Sequence, residues 1–441
     1  MDGRPKGRTV AGTGSRAQDR TDLIKGQNSG SYSPTVSTPA VFMTCAIAAH
    51  IRGSMTLSQR ADHRFRQCDI KAAYLNAEMT LETDAKTERQ FRRVVEMRGA
   101  EAETMVEMNK KHKWWGDGVT ELHQGKSLFF VLKKTLYGLL QAAVHWYKTM
   151  SRLLVSECEM TQSEEDLCIF YWKPTDKVEA IICLYVDDLL IFSDQRFFDD
   201  IRCKMDEKFR SDFGESNNTY CQKTTLDYLN LSLTNQDDSS ITIDQESYIT
   251  LIEAELTDDH PAKLKPFPKT TADPHLFRLD GTGEALCDSE VRFYKSMVQK
   301  LAFVAQRTRP DILCATSFLA TWVRAPTKQH LNALYHLMRF VFGTKKRGLK
   351  FGTQAELKLV AYIDAAFSTH YDGKSQSGMV MGLGEDLQSM VVSRSGEIKL
   401  VCDSSTEAEV TAVHKYVEQV LWADNLFREM TAGRIVGKPR L

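Results

Sequence analysis

Two apolar runs, Ile181-Ile182-Cys183-Leu184-Tyr185-Val186 and Leu189-Leu190-Ile191-Phe192, flank the adjacent residues Asp187 and Asp188. Each run has the length and unbroken apolar character of a strand buried on both faces. Two neighbouring carboxylates at such a junction are costly to desolvate unless positive charge lies beside them. A divalent cation is the natural candidate, so the chain reads as a metal-dependent enzyme. A hairpin turn competes with that reading, because Asp favours turns. It is the weaker reading, since Val186 and Leu189 flank the pair and no Gly or Asn is present to take a positive φ.

The 441 residues predict two or three domains. Hydrophobic content of 42% and charged content of 26% are those of a soluble globular protein. The apolar stretches are too short for a membrane span, and the polar N-terminus does not read as a secretory signal. An intracellular setting, cytoplasmic or nuclear and away from membranes, is expected. Ten cysteines without a C-x-x-C pair argue for a reduced protein with neither a disulfide framework nor a zinc site. A net charge of −1 gives no global footprint for nucleic acid. Local basic groups are present at Arg92-Arg93, Lys110-Lys111, Lys133-Lys134 and Lys345-Lys346-Arg347.

Residues 1–33, rich in Gly, Ser, Arg and Asp, read as loop or disorder. A buried helix is expected over 40–50, a strand over 65–70 and a helical turn from Ala72. The charged, periodic stretch 82–113 reads as a helical insertion. Leu128 to Leu132 reads as a strand, 139–154 as a helix, and 197–209 as a helix after the twin apolar runs. From 215 to 285 the text is polar, with one strand-like segment at Ser240-Ile241-Thr242-Ile243. Pro261, Pro266, Pro268 and Pro274 mark a linker. Helices are predicted over 290–306, 311–323 and 328–342, with Pro310 and Pro326 near two of the starts. Strands over 357–363, 378–383 and 389–393 and a helix over 405–430 complete the reading.

Asp69 ends the strand Arg66-Gln67-Cys68-Asp69-Ile70, opposite in face to Cys68 and Ile70. Alone it is a strand-end residue. With the 187/188 doublet it makes three carboxylates from two strand ends, enough to hold two divalent ions about 3.5–4 Å apart. One ion lowers the pKa of an attacking 3′-hydroxyl, and the other neutralises a leaving pyrophosphate. Oxygen ligands of this kind suit Mg2+, with Mn2+ as the alternative.

These residues resemble a family. Tyr185-Val186-Asp187-Asp188 is similar to the Y-x-D-D box of reverse transcriptases. Asp69-Ile70-Lys71-Ala72-Ala73-Tyr74-Leu75-Asn76-Ala77-Glu78 resembles the D-x-x-x-A-F/Y-L-N-G-E block of copia-type retrotransposon polyproteins. The run from Lys133 to Ala142, with Trp146-Tyr147, resembles their L-K-x-x-L-Y-G-L-K-Q-A…W-Y block. Thr308-Arg309-Pro310-Asp311-Ile312 resembles T-R-P-D-I, Tyr32-Ser33-Pro34-Thr35-Val36 resembles F-S-P-V, and Lys6 to Ala11 echoes K-A-R-L-V-A. The blocks stand in the family's order along nearly the whole chain. Departures include Ala77 for Gly, Leu140 for Lys and Ala143 for Pro.

The resemblance implies an α+β fold, a right-hand polymerase with palm and fingers and a helical thumb-like region, followed by a truncated RNase H-like α/β domain. The boundaries expected are 1–33 for a remnant of the fingers, 34–255 for fingers and palm, 256–350 for linker and thumb or connection, and 356–441 for the RNase H-like part. It implies Asp69, Asp187 and Asp188 as catalytic metal ligands and Tyr74 as a steric gate beneath the incoming sugar, with a packed aromatic of the palm as the equal alternative for Tyr74. Gln141 would lie beside the nucleotide, with Lys6 and Arg8 reaching its triphosphate. Lys295, Lys300, Arg307, Arg309, Lys328 and Arg339 would line a clamp on the duplex, Arg309 and Lys328 foremost. The expected partners are an RNA or DNA template with primer, deoxynucleoside triphosphates and other segments of a polyprotein.

The C-terminal text carries a second set. Leu359 to Phe367 reads as a strand containing Asp364, and Ser404 with Glu407 satisfies the capping-box spacing. With Lys374-Ser375-Gln376-Ser377-Gly378, these blocks resemble the copia-type RNase H domain, which implies Asp364 and Glu409 as metal ligands. The family's third and fourth carboxylates have no counterpart before Leu441. A two-metal nuclease lacking half its ligands is expected to be weak or dead. The sequence therefore predicts an RNA-directed DNA polymerase of a copia-type element, a nucleotidyltransferase. The alternative is an inactive retroelement remnant that at most binds nucleic acid.

Overall fold

The computed structural model describes residues 33–79, 82–83, 90–91, 94–112, 127–139, 141–175, 177–210, 218–354, 357–384 and 387–431. Lys6, Arg8 and the expected N-terminal loop lie outside them. The chain forms two compact units. One draws on Ile70–Glu159 and Lys204–Asn218, the other on Val36–Asp69, Met160–Cys203 and Thr219–Leu441.

The second unit begins with helix α1 (Thr38–Gly53), capped by Ser37, whose hydroxyl accepts from the Ala40 N–H at 3.3 Å. Its residues from Ala40 to Ala49 are all buried, as an apolar helix without a polar face requires. A six-stranded antiparallel sheet follows from β1 (Arg64–Asp69), β2 (Thr161–Gln162), β3 (Ile169–Trp172), β4 (Ala180–Tyr185), β5 (Asp188–Ser193) and β6 (Thr219–Cys221). Their order is β6-β1-β5-β4-β3-β2. The strands of the two apolar runs, β4 and β5, are therefore interior, as continuous hydrophobicity demands. On one face of the sheet Cys183 donates its thiol to Thr44 of α1 at 3.5 Å. On the other, Arg66 sits 5.3 Å over the ring of Phe198 in helix α2 (Gln195–Lys208). Arg66 is buried and donates to the Ser193 carbonyl at 2.8 Å, the Asp62 carbonyl at 2.7 Å and Gln195 Oε1 at 2.9 Å. Burial pulls its pKa down to about 10.

A four-stranded sheet orders β7 (Thr225–Tyr228), β8 (Leu231–Asn235), β9 (Ile241–Asp244) and β10 (Leu349–Phe351). Only β9 was legible in the polar stretch 215–285. The β7–β8 loop is Leu229-Asn230, with φ of 54° and 61°, the paired left-handed geometry of a tight hairpin. Leu229 gives no Gly-like signal for it. Asn235 ties this sheet to β1, accepting from the Phe65 N–H at 2.9 Å and donating to the Phe65 carbonyl at 3.2 Å.

Helices α3 (Glu246–Ala254), α4 (Asp288–Ala305), α5 (Leu313–Thr321) and α6 (Lys328–Gly343) share one apolar core that includes Leu301, Phe318 and Leu334. The three predicted helices over 290–342 are all present, with a short 3-10 turn at Pro310–Ile312 ahead of α5. Tyr294 and Trp322 belong to this packing. The Tyr294 hydroxyl donates to the Leu319 carbonyl at 2.8 Å, and Trp322 stacks on His330 at 4.2 Å. A three-stranded sheet of β11 (Leu359–Ala366), β12 (Gln376–Leu383) and β13 (Ser389–Glu397) then packs against helix α7 (Ser405–Thr431). The capping box is present in a shifted form. The Glu407 N–H donates to Ser404 at 3.1 Å, and the Glu407 carboxylate accepts from the Asp403 N–H at 2.7 Å.

In the first unit, Val94–Arg98 pairs with Ser127–Val131, and a helix covers Ala100–His112. The helix expected over 82–113 is thus correct only in its second half. Val94 to Arg98 alternate in exposure, as an edge hairpin does. The helix Ala142–Arg152 buries Trp146 against Phe209 at 5.2 Å. Gly138, just before that helix, holds φ at 89°, a conformation a side chain would strain.

Candidate active site

The site grows from the strand ladder. Across β1 and β5 the register pairs Phe65 with Phe192, Gln67 with Leu190 and Asp69 with Asp188. Directly opposed residues of an antiparallel pair share a face, with Cβ atoms about 4.5–5.5 Å apart. Asp69 and Asp188 are therefore neighbours by construction. Asp187 precedes Asp188 in the hairpin that joins β4 to β5, closed by the Tyr185–Asp188 pair. All three carboxylates are half-buried.

The hairpin is real, which corrects the weaker standing the turn had in the sequence. Val186 itself carries the positive φ, at 56°. For a β-branched residue this conformation is an outlier with a cost of about 1–3 kcal/mol. The ladders on both sides of β5 hold it in place. The turn and the carboxylate doublet are one feature rather than two competing readings.

A residue missed at the level of sequence holds the site in shape. Gln67 Nε2 donates to Asp188 Oδ1 at 2.8 Å and to the Asp227 carbonyl at 2.9 Å. It thus links the carboxylate to the end of the β7–β8 hairpin. The signal was available, because Gln67 stands two residues before Asp69 and so on its face. The same hairpin is fastened twice more. The Tyr228 hydroxyl donates to the Cys183 carbonyl at 3.2 Å, and Arg307 donates to the Leu229 carbonyl at 2.7 Å. Burial raises the Tyr228 phenol well above its ordinary pKa, so it stays a neutral donor.

Among the described residues no three His, Cys, Asp or Glu side chains form a preformed metal cluster. What the structure brings together is the Asp69–Asp188 pair with Asp187 one residue away. Like charges this close oppose further convergence unless a cation offsets them.

The remaining sequence-derived candidates are placed as follows. In the first unit, the Tyr74 ring packs 5.1 Å from that of Tyr137, and Gln141 sits at the head of the helix Ala142–Arg152 without capping it. In the second unit, Arg309 is buried and grips Asp311 through two bonds of 2.9 and 2.8 Å, with Thr344 as a further partner. The same guanidinium cannot also serve a nucleic-acid strand, so the expected contact at Arg309 is corrected to a fold-internal one. Lys328 pairs with Glu290 at 2.6 Å, and this cation with the Cys287 N–H holds the Glu290 carboxyl down to about 2. Lys300 pairs with Glu255, and Arg339 donates to the carbonyls of Leu264 and Pro266. Asp364 is exposed on β11 and Glu409 half-buried on α7. Ser377, the register partner of Ala365, hydrogen-bonds Tyr416 of α7 at 2.9 Å, so Ala365 faces that helix and strand alternation turns Asp364 to the opposite face of the sheet.

Residues 119–267 match the model of the family described as Reverse transcriptase (RNA-dependent DNA polymerase). That segment contains Gln141, Asp187 and Asp188; Asp69 and Tyr74 precede it. Curated relatives include polyproteins of transposons. The Transposon Ty1-NL2 Gag-Pol polyprotein of Saccharomyces cerevisiae is 27% identical over 325 residues, covering 69% of this chain and 17% of the relative. The Ty1-MR1 Gag-Pol polyprotein of the same organism is 28% identical over 306 residues, covering 65% of this chain and 16% of the relative. These matches bear out the resemblance to copia-type retrotransposon polyproteins and to reverse transcriptases that the sequence motifs carry. The chain spans about a sixth of the length of those relatives. Among solved structures, that of a foamy viral protease-reverse transcriptase in complex with an RNA/DNA hybrid aligns with TM-score 0.46 and 10% identity. It covers 88% of this chain and 39% of that one. No helix among the described residues is long and apolar enough to cross a membrane.

Proposed function

We propose that the chain is the RNA-directed DNA polymerase of a copia-type element, joining deoxynucleotides to a primer 3′-hydroxyl on an RNA or DNA template. The observation that carries this reading is the register pair Asp69–Asp188 beside Asp187, at the end of the sheet in a Y-x-D-D hairpin. The oxygen donors suit magnesium, which when bound would activate the 3′-hydroxyl and neutralise the leaving pyrophosphate. Asp69, Asp187 and Asp188 would hold it. Gln67 fixes the rotation of the Asp188 carboxylate through its bond to Oδ1. The strained turn at Val186 keeps Asp187 at the tip of the sheet.

In this reading residues 34–255 supply fingers and palm, 256–350 a thumb or connection, and 356–441 an RNase H-like part. Tyr74 and Gln141 are the nucleotide-facing residues, with Lys6 and Arg8 on the triphosphate. Template and primer would be held chiefly through phosphates, so affinity should fall steeply with salt. Primer extension on poly(rA)–oligo(dT) with magnesium tests the assignment. The wild-type chain should extend the primer and Asp187→Asn should not. Equal signals from the two proteins would sink it, and salt-sensitive binding without extension would favour the inactive remnant.

A further inference from the structure

A cavity of about 230 Å³ lies between the start of α1, the end of α4 and strand β13, and Thr38, Phe42, Phe303, Gln306, Arg307 and Arg394 line it. Among the described residues no Asp or Glu faces it. Both guanidiniums are half-buried, and their bonds within the chain go to neutral groups. Arg307 donates to the Leu229 carbonyl at 2.7 Å and lies 4.1 Å over the Phe303 ring. Arg394 donates to the Ser393 carbonyl at 2.9 Å. The titratable groups that face them are tyrosines, Tyr185 and Tyr248 for Arg307 and Tyr416 for Arg394.

This differs from Arg309. Arg309, two residues from Arg307, has Asp311 in a two-bonded grip. A cation withdrawn from water without a counter-charge is costly. Burial accordingly pulls the pKa of Arg307 and of Arg394 downward. Two such cations among the residues lining one cavity favour an anion there. The planar forks of guanidinium match the oxygens of phosphate, and Thr38 and Gln306 add uncharged hydrogen-bonding groups. The volume is below the roughly 300–1,000 Å³ of sites for drug-sized ligands. It suits a single phosphoryl group or a diphosphate and leaves no room for a whole nucleotide.

We propose that this cavity is a phosphate-binding site, separate from the Asp69–Asp188 pair, in which Arg307 and Arg394 take a phosphate monoester or diphosphate anion. The anion could be free or the phosphorylated end of a nucleic-acid strand. This assignment does not depend on the polymerase reading.

Titration calorimetry on the full chain tests it, without added divalent metal. The probes are inorganic phosphate, pyrophosphate, and a twelve-nucleotide oligo(dT) with or without a 5′-phosphate. Saturable binding of at least one phosphate probe is expected. Arg394→Gln should weaken it at least tenfold, and Asp187→Asn should leave it unchanged. Loss of inorganic-anion binding identifies a free ligand. Loss confined to the 5′-phosphorylated oligonucleotide identifies a strand end. The absence of saturable binding, or equal binding by Arg394→Gln, overturns the proposal. Should Arg394→Gln not fold, phenylglyoxal modification of the wild-type chain with peptide mapping decides. The bound probe should slow modification of Arg307 and Arg394 about fivefold, and no protection at either residue refutes the site.

Discussion

Two sheets of the second unit each carry an aspartate that sequence alone nominates for metal chemistry, and they treat it differently. In the six-stranded sheet the partner carboxylate sits on the adjacent strand. The ladder pairs Asp69 with Asp188, and Gln67 on the same face holds the second of them. In the three-stranded sheet the partner, Glu409, sits on a helix. Ala365 shares the face on which its register partner Ser377 bonds Tyr416 of α7, so its neighbour Asp364 lies on the other face. Convergence of two strand-borne groups follows from hydrogen-bond register, which every backbone pair enforces. Convergence of a strand group with a helix group depends on how the helix docks, which no motif specifies.

The largest effect should separate the two sheets outright. Asp188→Asn should lower primer extension about a thousandfold, close to 4 kcal/mol of barrier. Asp364→Asn should leave extension within twofold, and comparable losses in both variants would erase the contrast.

Acid pH is a confounder that His330 makes separable. The ring is buried against Trp322 and accepts from the Thr327 N–H, and burial lowers its pKa to about 4. In the unfolded chain it protonates first, near its ordinary value of about 6.5. Its contribution to stability is therefore complete above about pH 6.5 and declines as pH falls toward 4, on the order of 2 kcal/mol in all. Urea unfolding at pH 7.5 and 4.5 should show this loss, and His330→Gln should flatten it. Extension that fails in acid equally in both proteins then does not stem from His330.

Gln67→Met should reduce extension at least tenfold, about 1.4 kcal/mol, and raise the magnesium concentration needed for half-activity. A drop in thermal stability with an unchanged magnesium requirement would make Gln67 a purely structural residue. Smallest of all, Glu409→Gln on the other side of the comparison should shift extension less than twofold and stability by no more than about 0.5 kcal/mol. A large loss there would restore Glu409 to the chemistry.

Much of the scaffold was legible. Apolar runs gave β4 and β5, and helical spacing gave α4, α5 and α6 nearly to the residue. The hairpin β7–β8 escaped because Leu226, Tyr228, Leu231 and Leu233 alternate within polar text and their turn carries no glycine. Val94–Arg98 escaped because a charged strand at an edge looks like a charged helix. Arg309 was misjudged, since a cation in a motif does not reveal whether its carboxylate partner stands two residues away. The turn at Val186 was undervalued because side-chain preference disfavours a left-handed valine, and only the ladders on either side outweigh that preference.

What the order of residues determined by itself was local: which segments are apolar enough to become interior strands, where helices start, and which carboxylates stand at strand ends. Tertiary structure alone decided which of those carboxylates meet. Register across non-adjacent segments placed Asp69 opposite Asp188, and burial set Arg309 against Asp311 while leaving Arg307 and Arg394 without a counter-charge. Backbone pairing and desolvation act between groups far apart in the chain, and their outcome is settled only when the whole unit packs.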